Sequence, residues 1–171
     1  MAVPPDVEVD IRYVAGYGCH HARNKIACMA IDEGFDEVLY VDADQIVPKD
    51  TLQKLLAVQS PIRAGWSMMA VADQRTNVSV YDPQKRHYDF ILKNDLPKDK
   101  LIKVDALGFA AILIKTEVFG KMTYPYFKYV EYGNRTTLSE DLYFCDVARK
   151  KNIDVICDTS LCVQHVKTIV I

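Results

Sequence analysis

Two aspartates one residue apart, Asp42 and Asp44, follow the apolar run VLYV in the stretch EVLYVDADQIVP. Like charges that close repel, and burial strengthens the repulsion. In an extended segment residues i and i+2 face the same way, so both carboxylates are expected on one side with Ala43 opposite. Two oxygen ligands on one side suit a hard divalent cation, Mg²⁺ or Mn²⁺, which removes the repulsion and can clamp a diphosphate. The same pattern also fits an ordinary turn after a strand, where aspartates serve as caps. A second acidic pair, Glu140 and Asp141 in SEDLYF, opens a predicted helix, where acids gain from the helix dipole. Alternatively, one of those carboxylates faces a cleft and accepts a proton as a general base. His165 ends a predicted strand, a position open to both structural and ligand use.

The elements that must position these residues alternate along the chain. VEVDIRYV (residues 7–14) alternates apolar and polar residues, which predicts a strand. Ile26, Ala27, Ala30 and Ile31 form a helical stripe within residues 21–33, and Gly34 is a natural stop. EVLYV reads as a continuous apolar strand of the kind buried on both faces of a parallel sheet. Pro48 then opens a second helix with Leu52, Leu55 and Leu56 on one face. This order argues for an α/β fold, with a mixed, mainly parallel central sheet flanked by helices. In such sheets ligands bind beyond the carboxyl ends of the strands, where Asp42 and Asp44 stand.

In the second half, TNVSVYD and RHYDFIL are predicted to form a hairpin around PQK, with NDLPKDK as a polar loop. LIKVDALGFAAILI gives two strand-like runs broken at Gly108, and TEVFGKM one or two helical turns. YPYFKYVEYGNRTT is aromatic without clear periodicity. Ser139 is placed to cap a helix running to about Lys151, and IDVIC and LCVQH read as two terminal strands. With no internal repeat, low-complexity segment or linker, residues 1–171 are expected to form one domain.

Composition narrows the function classes. Half of the 171 residues are hydrophobic and the formal net charge is −2, so the expected partners include neither nucleic acid nor an anionic membrane. The longest apolar stretch, residues 106–114, is about half of what a transmembrane segment needs. No signal-peptide pattern opens the chain, and a cytoplasmic location is expected. Five cysteines, odd in number, suit reduced thiols. CDTSLCVQH offers Cys157, Cys162 and His165 to zinc at loose spacing, with buried structural thiols the better reading. Asn77 in NVS and Asn134 in NRT match the glycosylation acceptor pattern and are expected to be ordinary surface asparagines.

Taken in order, these signals resemble the nucleotide-sugar-dependent glycosyltransferases of the GT-A fold, particularly family 2-like and phage or archaeal members. The matching runs are ARNKIACMAIDEGFDEVLYVDADQIVPKDTLQKLL, VDALGFAAILIKTEVFGKM, YPYF, SEDLYFCDVARKKNIDVICDTSL and the closing VQH, roughly residues 22–165. Asp-x-Asp alone is weakly specific. The ordered set of Arg-Asn, Asp-x-Asp, Gly, aromatic-Phe, Glu-Asp and His is far harder to obtain by chance.

The resemblance implies a transfer of sugar from a nucleoside-diphosphate donor to an unidentified acceptor, with Mn²⁺ or Mg²⁺ as cofactor. It assigns Asp42 to the nucleotide or the metal, Asp44 to the metal and His165 to completing the metal shell. Arg23 and Asn24 would lie near the nucleotide, and Gly108 would let a backbone approach the donor or acceptor. Asp141 would be the base of an inverting enzyme, with Glu140 beside it. Family members usually begin with a strand and loop that hold the base, whereas only MAVPPD precedes residues 7–14, so the resemblance implies a shortened domain or a fragment. Six residues follow His165, and no acceptor-binding extension or membrane anchor is expected there. The rival readings are a non-catalytic nucleotide-sugar-binding module of the same fold and a nucleotidyltransferase, which would normally carry a Gly-rich basic phosphate loop. A phosphatase using Asp-x-Asp fits less well, because Ile46 stands where a hydroxyl residue usually follows.

Overall fold

A computed structural model describes residues 1–69, 74–131 and 137–166. The first regular element is helix α1 (Cys19–Glu33), closed by Gly34 in the left-handed region at φ 75° as the sequence pattern implies. Ala27 and Ala30 bury the face that packs on strand β1 (Glu37–Val41). The chain then makes a two-residue strand, β2 (Gln45–Ile46), and helix α2 (Thr51–Ala57), which starts three residues after Pro48. Pro48 still anchors that start, since its carbonyl accepts from both the N–H and the hydroxyl of Thr51.

Residues 7–14 form no strand, contrary to expectation. Alternation is necessary for a half-buried strand but requires a neighbouring strand to pair with. Here Ile11 and Tyr13 lie 87% and 81% exposed, and Arg12 ties the segment to Glu33 of α1.

The central strand that sequence reading passed over is β3 (Ile62–Ser67), buried along its whole length. Its polar composition hid it. Arg63 is accommodated because its guanidinium donates to the carbonyls of Leu55 and Ser60 and to the Glu37 carboxylate. A side chain at Gly65 would meet the Leu161 backbone oxygen at 2.7 Å, so glycine is what lets two strands approach there.

Strands β4 (Arg75–Asp82) and β5 (His87–Leu92) form the expected hairpin, and β7 (Ala106–Leu107) extends it to three strands. Strand β6 (Leu101–Val104) and strand β8 (Ala111–Lys115) flank that short segment, and α3 (Glu117–Gly120) is a single turn. A two-stranded ribbon, β9 (Val130–Glu131) with β10 (Thr137–Leu138), leads into α4 (Glu140–Lys150). The last strand, β11 (Val155–His165), joins the two terminal strands predicted separately, with an irregularity between Cys157 and Cys162.

The main sheet runs β1-β8-β3-β11-β2, with β6 on β11. The α/β class and the mixed sheet match expectation, but parallel pairs do not dominate. Among the described residues only β3 with β11 is parallel, while β1–β8, β3–β8, β6–β11 and β2–β11 are antiparallel. Strand β1 is therefore an edge strand and not one buried between parallel neighbours, and Val41 is 40% exposed. Its apolar run reflects packing against α1 rather than a parallel environment.

Alternation along β8 separates two cores. Ile112 and Ile114 join the large cluster that includes Phe109, Phe119, Phe127 and Phe144, whereas Leu113 faces Leu52, Leu55 and Leu161 under α2. Phe127 and Phe144 stack with ring centroids 4.8 Å apart. Because β8 runs against β1 and β3, its amino end lies beside their carboxyl ends, and the parallel strand β11 ends there as well. One edge of the sheet thus collects Asp42, Ser67, Gly108 and His165.

Candidate active site

The segment after β1 is a turn rather than a continuation of the strand. Gln45 N–H donates to the Asp42 carbonyl (3.1 Å), which rules out the extended alternation expected to aim both aspartates the same way. Instead β2 pairs with the end of β11, matching His165 with Gln45, and Val166 N–H donates to the Asp44 carbonyl (2.8 Å). The two aspartates consequently meet different partners. Asp42 turns toward Arg23, whose guanidinium lies 3.0 Å from Oδ1, while Asp44 Oδ2 stands 3.8 Å from His165 Nε2.

The His165 contact has a chemical consequence. Its Nδ1 lies 3.3 Å from the Met68 carbonyl, which can only accept, so a neutral ring carries its proton there. Nε2 then turns a lone pair toward the Asp44 carboxylate. Two acceptors facing each other at that separation are natural ligands for a shared cation, and the carbonyl–histidine contact is the usual orienting partner of a metal-binding ring. Gln45 adds an amide oxygen that is buried without a hydrogen-bond partner. These donors fit Mn²⁺ or Mg²⁺, which typically take one or two protein ligands and complete their shell with phosphate and water. Among the described residues no cluster of three or more His, Cys, Asp or Glu side chains is assembled for a metal. Zinc at Cys157, Cys162 and His165 is thus not formed, and all five cysteines are free thiols.

Arg23 and Asn24 are both buried on α1. Arg23 donates to Glu140 Oε1 (2.8 Å) as well as to Asp42, with its guanidinium carbon 4.7 Å from the centre of the Phe109 ring. Asn24 is fully engaged within the protein. Its amide donates to the carbonyls of His20 and Phe127 and accepts from the N–H groups of Tyr126 and Phe127, pinning that aromatic segment to α1.

Asp141 and Glu140 open α4 and face different ways. Glu140 is buried against Arg23, whereas Asp141 lines a cleft of about 240 Å³ together with Asp42, Gln45, Asn77, Gly108 and His165. Ser139 does not cap the helix with its side chain. Its hydroxyl donates to Asp141 Oδ1, and that same oxygen accepts from Leu142 N–H (2.7 Å). Burial pushes the Asp141 carboxyl above its ordinary range, only partly offset by Ser139 and the Arg23 charge. Asp42 is raised for the same first reason, with Arg23 opposing and Asp44 adding to the rise. A cleft holding two carboxyls destabilised as anions is poised for either a cation or a proton.

Gly108 makes room for this arrangement. A Cβ there would stand 3.2 Å from Asp141 Oδ2 and 3.3 Å from the Asn77 Cβ. Its closest approaches are therefore to the protein's own side chains. Asn77, expected at the surface, is instead buried in β4. Its amide donates to the Gly108 carbonyl (2.7 Å) and accepts from Ser67 N–H (2.8 Å), joining the β3 end to the glycine. A polar residue inside the alternating run TNVSVYD was the available signal for it. Asn134 lies outside the described residues.

No protein-family model and no curated protein matches the chain. Among solved structures it is similar to A197 from STIV, at 18% identity and a TM-score of 0.61, covering 88% of this chain and 69% of that one. It is also similar to GalNAc-T7, whose crystal structure contains UDP, GalNAc and Mn²⁺, at 11% identity and a TM-score of 0.61. That match covers 89% of this chain but 30% of GalNAc-T7. At these identities the likeness establishes the fold, which is GT-A-like. No helix among the described residues is long and apolar enough to cross a membrane.

Proposed function

We propose that the chain is a metal-dependent glycosyltransferase that moves a sugar from a nucleoside-diphosphate donor to an acceptor hydroxyl, with Asp141 as the base of an inverting reaction. The observation that carries this reading is the meeting of Asp42, Gly108, Asp141 and His165 around one cleft at the carboxyl ends of β1, β3 and β11. Residues up to 123 positions apart in sequence come together there, in the order of the family resemblance.

Each side chain has a role its surroundings permit. Asp44 and His165 would hold Mn²⁺ or Mg²⁺, aided by Asp42 and Gln45, and the bound ion would neutralise charge developing on the departing diphosphate. Asp141 presents a carboxylate of raised basicity, fixed by Ser139 and the Leu142 N–H, to which an acceptor hydroxyl can lose its proton. Met68, Phe90, Phe109 and Leu142 supply the apolar part of the cleft wall. Asn77 and Gly108 fix the wall opposite Asp141.

The decisive experiment is turnover with a panel of nucleotide sugars, with and without Mn²⁺, alongside calorimetry of nucleoside diphosphates. Mn²⁺-dependent binding of one diphosphate is expected, and Asp44→Ala is expected to abolish it while leaving the fold intact. Equal affinity with and without Mn²⁺, in both proteins, would remove the metal site from this reading. Binding without turnover would favour a non-catalytic module of the same fold.

A further inference from the structure

The guanidinium of Arg23 donates to two acidic side chains, Asp42 and Glu140. Its two terminal nitrogens divide between Asp42 at the end of β1 and Glu140 in the first turn of α4. Arg23 and Glu140 are almost wholly buried, at 5% and 6% exposure, whereas the Asp42 side chain remains 37% exposed at the cleft. Behind the guanidinium the Phe109 ring closes off water. One fixed positive charge thus serves two carboxylates, only one of which can be reached by a ligand.

We propose that Arg23 is a positioning residue that shares its charge between Asp42 and Glu140, so that Glu140 sets how strongly Asp42 attracts a cation. The inference rests on the cation reading of the Asp42–Asp44 turn. Its logic is competition. Arg23 stands where it weakens the pull of Asp42 on a divalent ion, and Glu140 draws part of that positive charge away. Glu140 itself does not line the cleft. Hydrogen-bonded to Arg23 and set back from the cleft, it reaches a bound ion chiefly through the fork of Arg23. The planar guanidinium suits this, because it can hold two carboxylates at once where an ammonium is a single point charge.

The competition fixes the sign of each substitution. In Glu140→Gln the guanidinium gives its full charge to Asp42, and Mn²⁺ affinity is expected to fall about tenfold, the scale of one charge contact at a partly wet site. In Arg23→Gln the competitor is gone, and affinity is expected to rise by about the same factor. In the double variant, Glu140→Gln is expected to add nothing. A purely structural role makes the opposite forecast for Arg23, since loosening α1 and α4 weakens both variants alike.

The experiment is calorimetry of Mn²⁺ alone with the full chain, the two single variants and the double variant, with melting temperatures recorded. Weaker binding in Arg23→Gln, or a Glu140→Gln effect that survives in the double variant, overturns the coupling. If Arg23→Gln does not fold, Arg23→Met, which fills the site without a charge, replaces it, and the Glu140→Gln effect is expected to vanish in that background too. A parent chain that binds no Mn²⁺, or binds it equally in Asp44→Ala, overturns the cation site and this inference with it. Normal parent binding with Glu140→Gln unchanged overturns the coupling alone.

Discussion

Helix α4 carries two acid clusters, one at its first turn and one about a turn and a half later, and they are built to opposite ends. At the later one, Asp146 is buried and accepts from the Tyr88 hydroxyl (2.8 Å) and from Arg149 (2.7 Å), with Lys150 at 2.6 Å. Burial alone would raise its carboxyl, but the bonds from Lys150, Arg149 and Tyr88 outweigh it and hold the group below the ordinary range. At the first turn Asp141 is raised, because burial outweighs what Ser139, Arg23 and Leu142 supply. The Asp146 cluster closes on itself. Arg149 lies 3.9 Å over the Tyr81 ring and locks α4 to the β4–β5 hairpin. The Asp141 side chain leaves its second oxygen beside Gly108 in the cleft. Two acids with environments pushed apart is the pattern expected when one does chemistry and the other holds the scaffold.

The largest effect should come from Asp141→Asn, which keeps shape and hydrogen-bond acceptance at Oδ1 but cannot take a proton. Sugar transfer is expected to fall by about a hundredfold or more, with donor affinity unchanged. Glu140→Gln should reduce transfer less, because its carboxylate faces Arg23 and not the cleft. Transfer at the parent rate in Asp141→Asn would place both first-turn acids in the scaffold class with Asp146.

The second effect falls on stability. Asp146→Asn leaves the Arg149 and Lys150 charges without their buried anion, and the fold is expected to lose about 2 kcal/mol, the scale of a broken charged hydrogen bond. Denaturant unfolding at neutral pH measures it. Donor binding by the folded fraction should be unaltered, since Asp146 does not line the cleft. A variant as stable as the parent would show that the cluster is not the lock described.

What made the two clusters hard to tell apart in sequence is that both are acids on one predicted helix. The dipole argument applied to Glu140 and Asp141 alike, and the helix itself was legible from Ser139 to about Lys151. Which acid turns to a cleft depends on β-strands far away, and Gly108 and Asn77 are part of that surface. Helix α1, strand β1, the β4–β5 hairpin and the break at Gly108 were legible because apolar period and turn residues sufficed. Strand β3 was not, since Arg63 and Ser67 are polar residues satisfied only by tertiary partners. Sheet direction was illegible for a related reason. An apolar strand looks the same whether its neighbour runs parallel or antiparallel, and β8 was free to insert between β1 and β3. The pairing of Asp44 with His165 was expected from resemblance, while the turn that achieves it, through β2 on β11, had no local signal.

The smallest effect is also the one that separates the clusters by sign. A carboxyl lowered in the folded state contributes stability that is present above its unfolded value, ordinarily 3.8, and is lost as pH falls through the folded value. Asp146 is of this kind. A raised carboxyl does the reverse. It costs stability at neutral pH, and the cost shrinks as pH falls through the raised value and is gone only below 3.8, where the folded and unfolded forms are both protonated. Asp141→Asn should therefore stabilise the neutral-pH protein, a gain bought with lost activity, as is common at functional sites. That gain should shrink as pH falls through the raised value and vanish only below pH 3.8. Asp146→Asn should destabilise across the neutral range and converge on the parent only below pH 3.8. Unfolding free energies of the three proteins between pH 3 and pH 8 test this. Two curves displaced from the parent in the same direction would mean that α4 carries one class of acid, with Asp141 no more strained than Asp146.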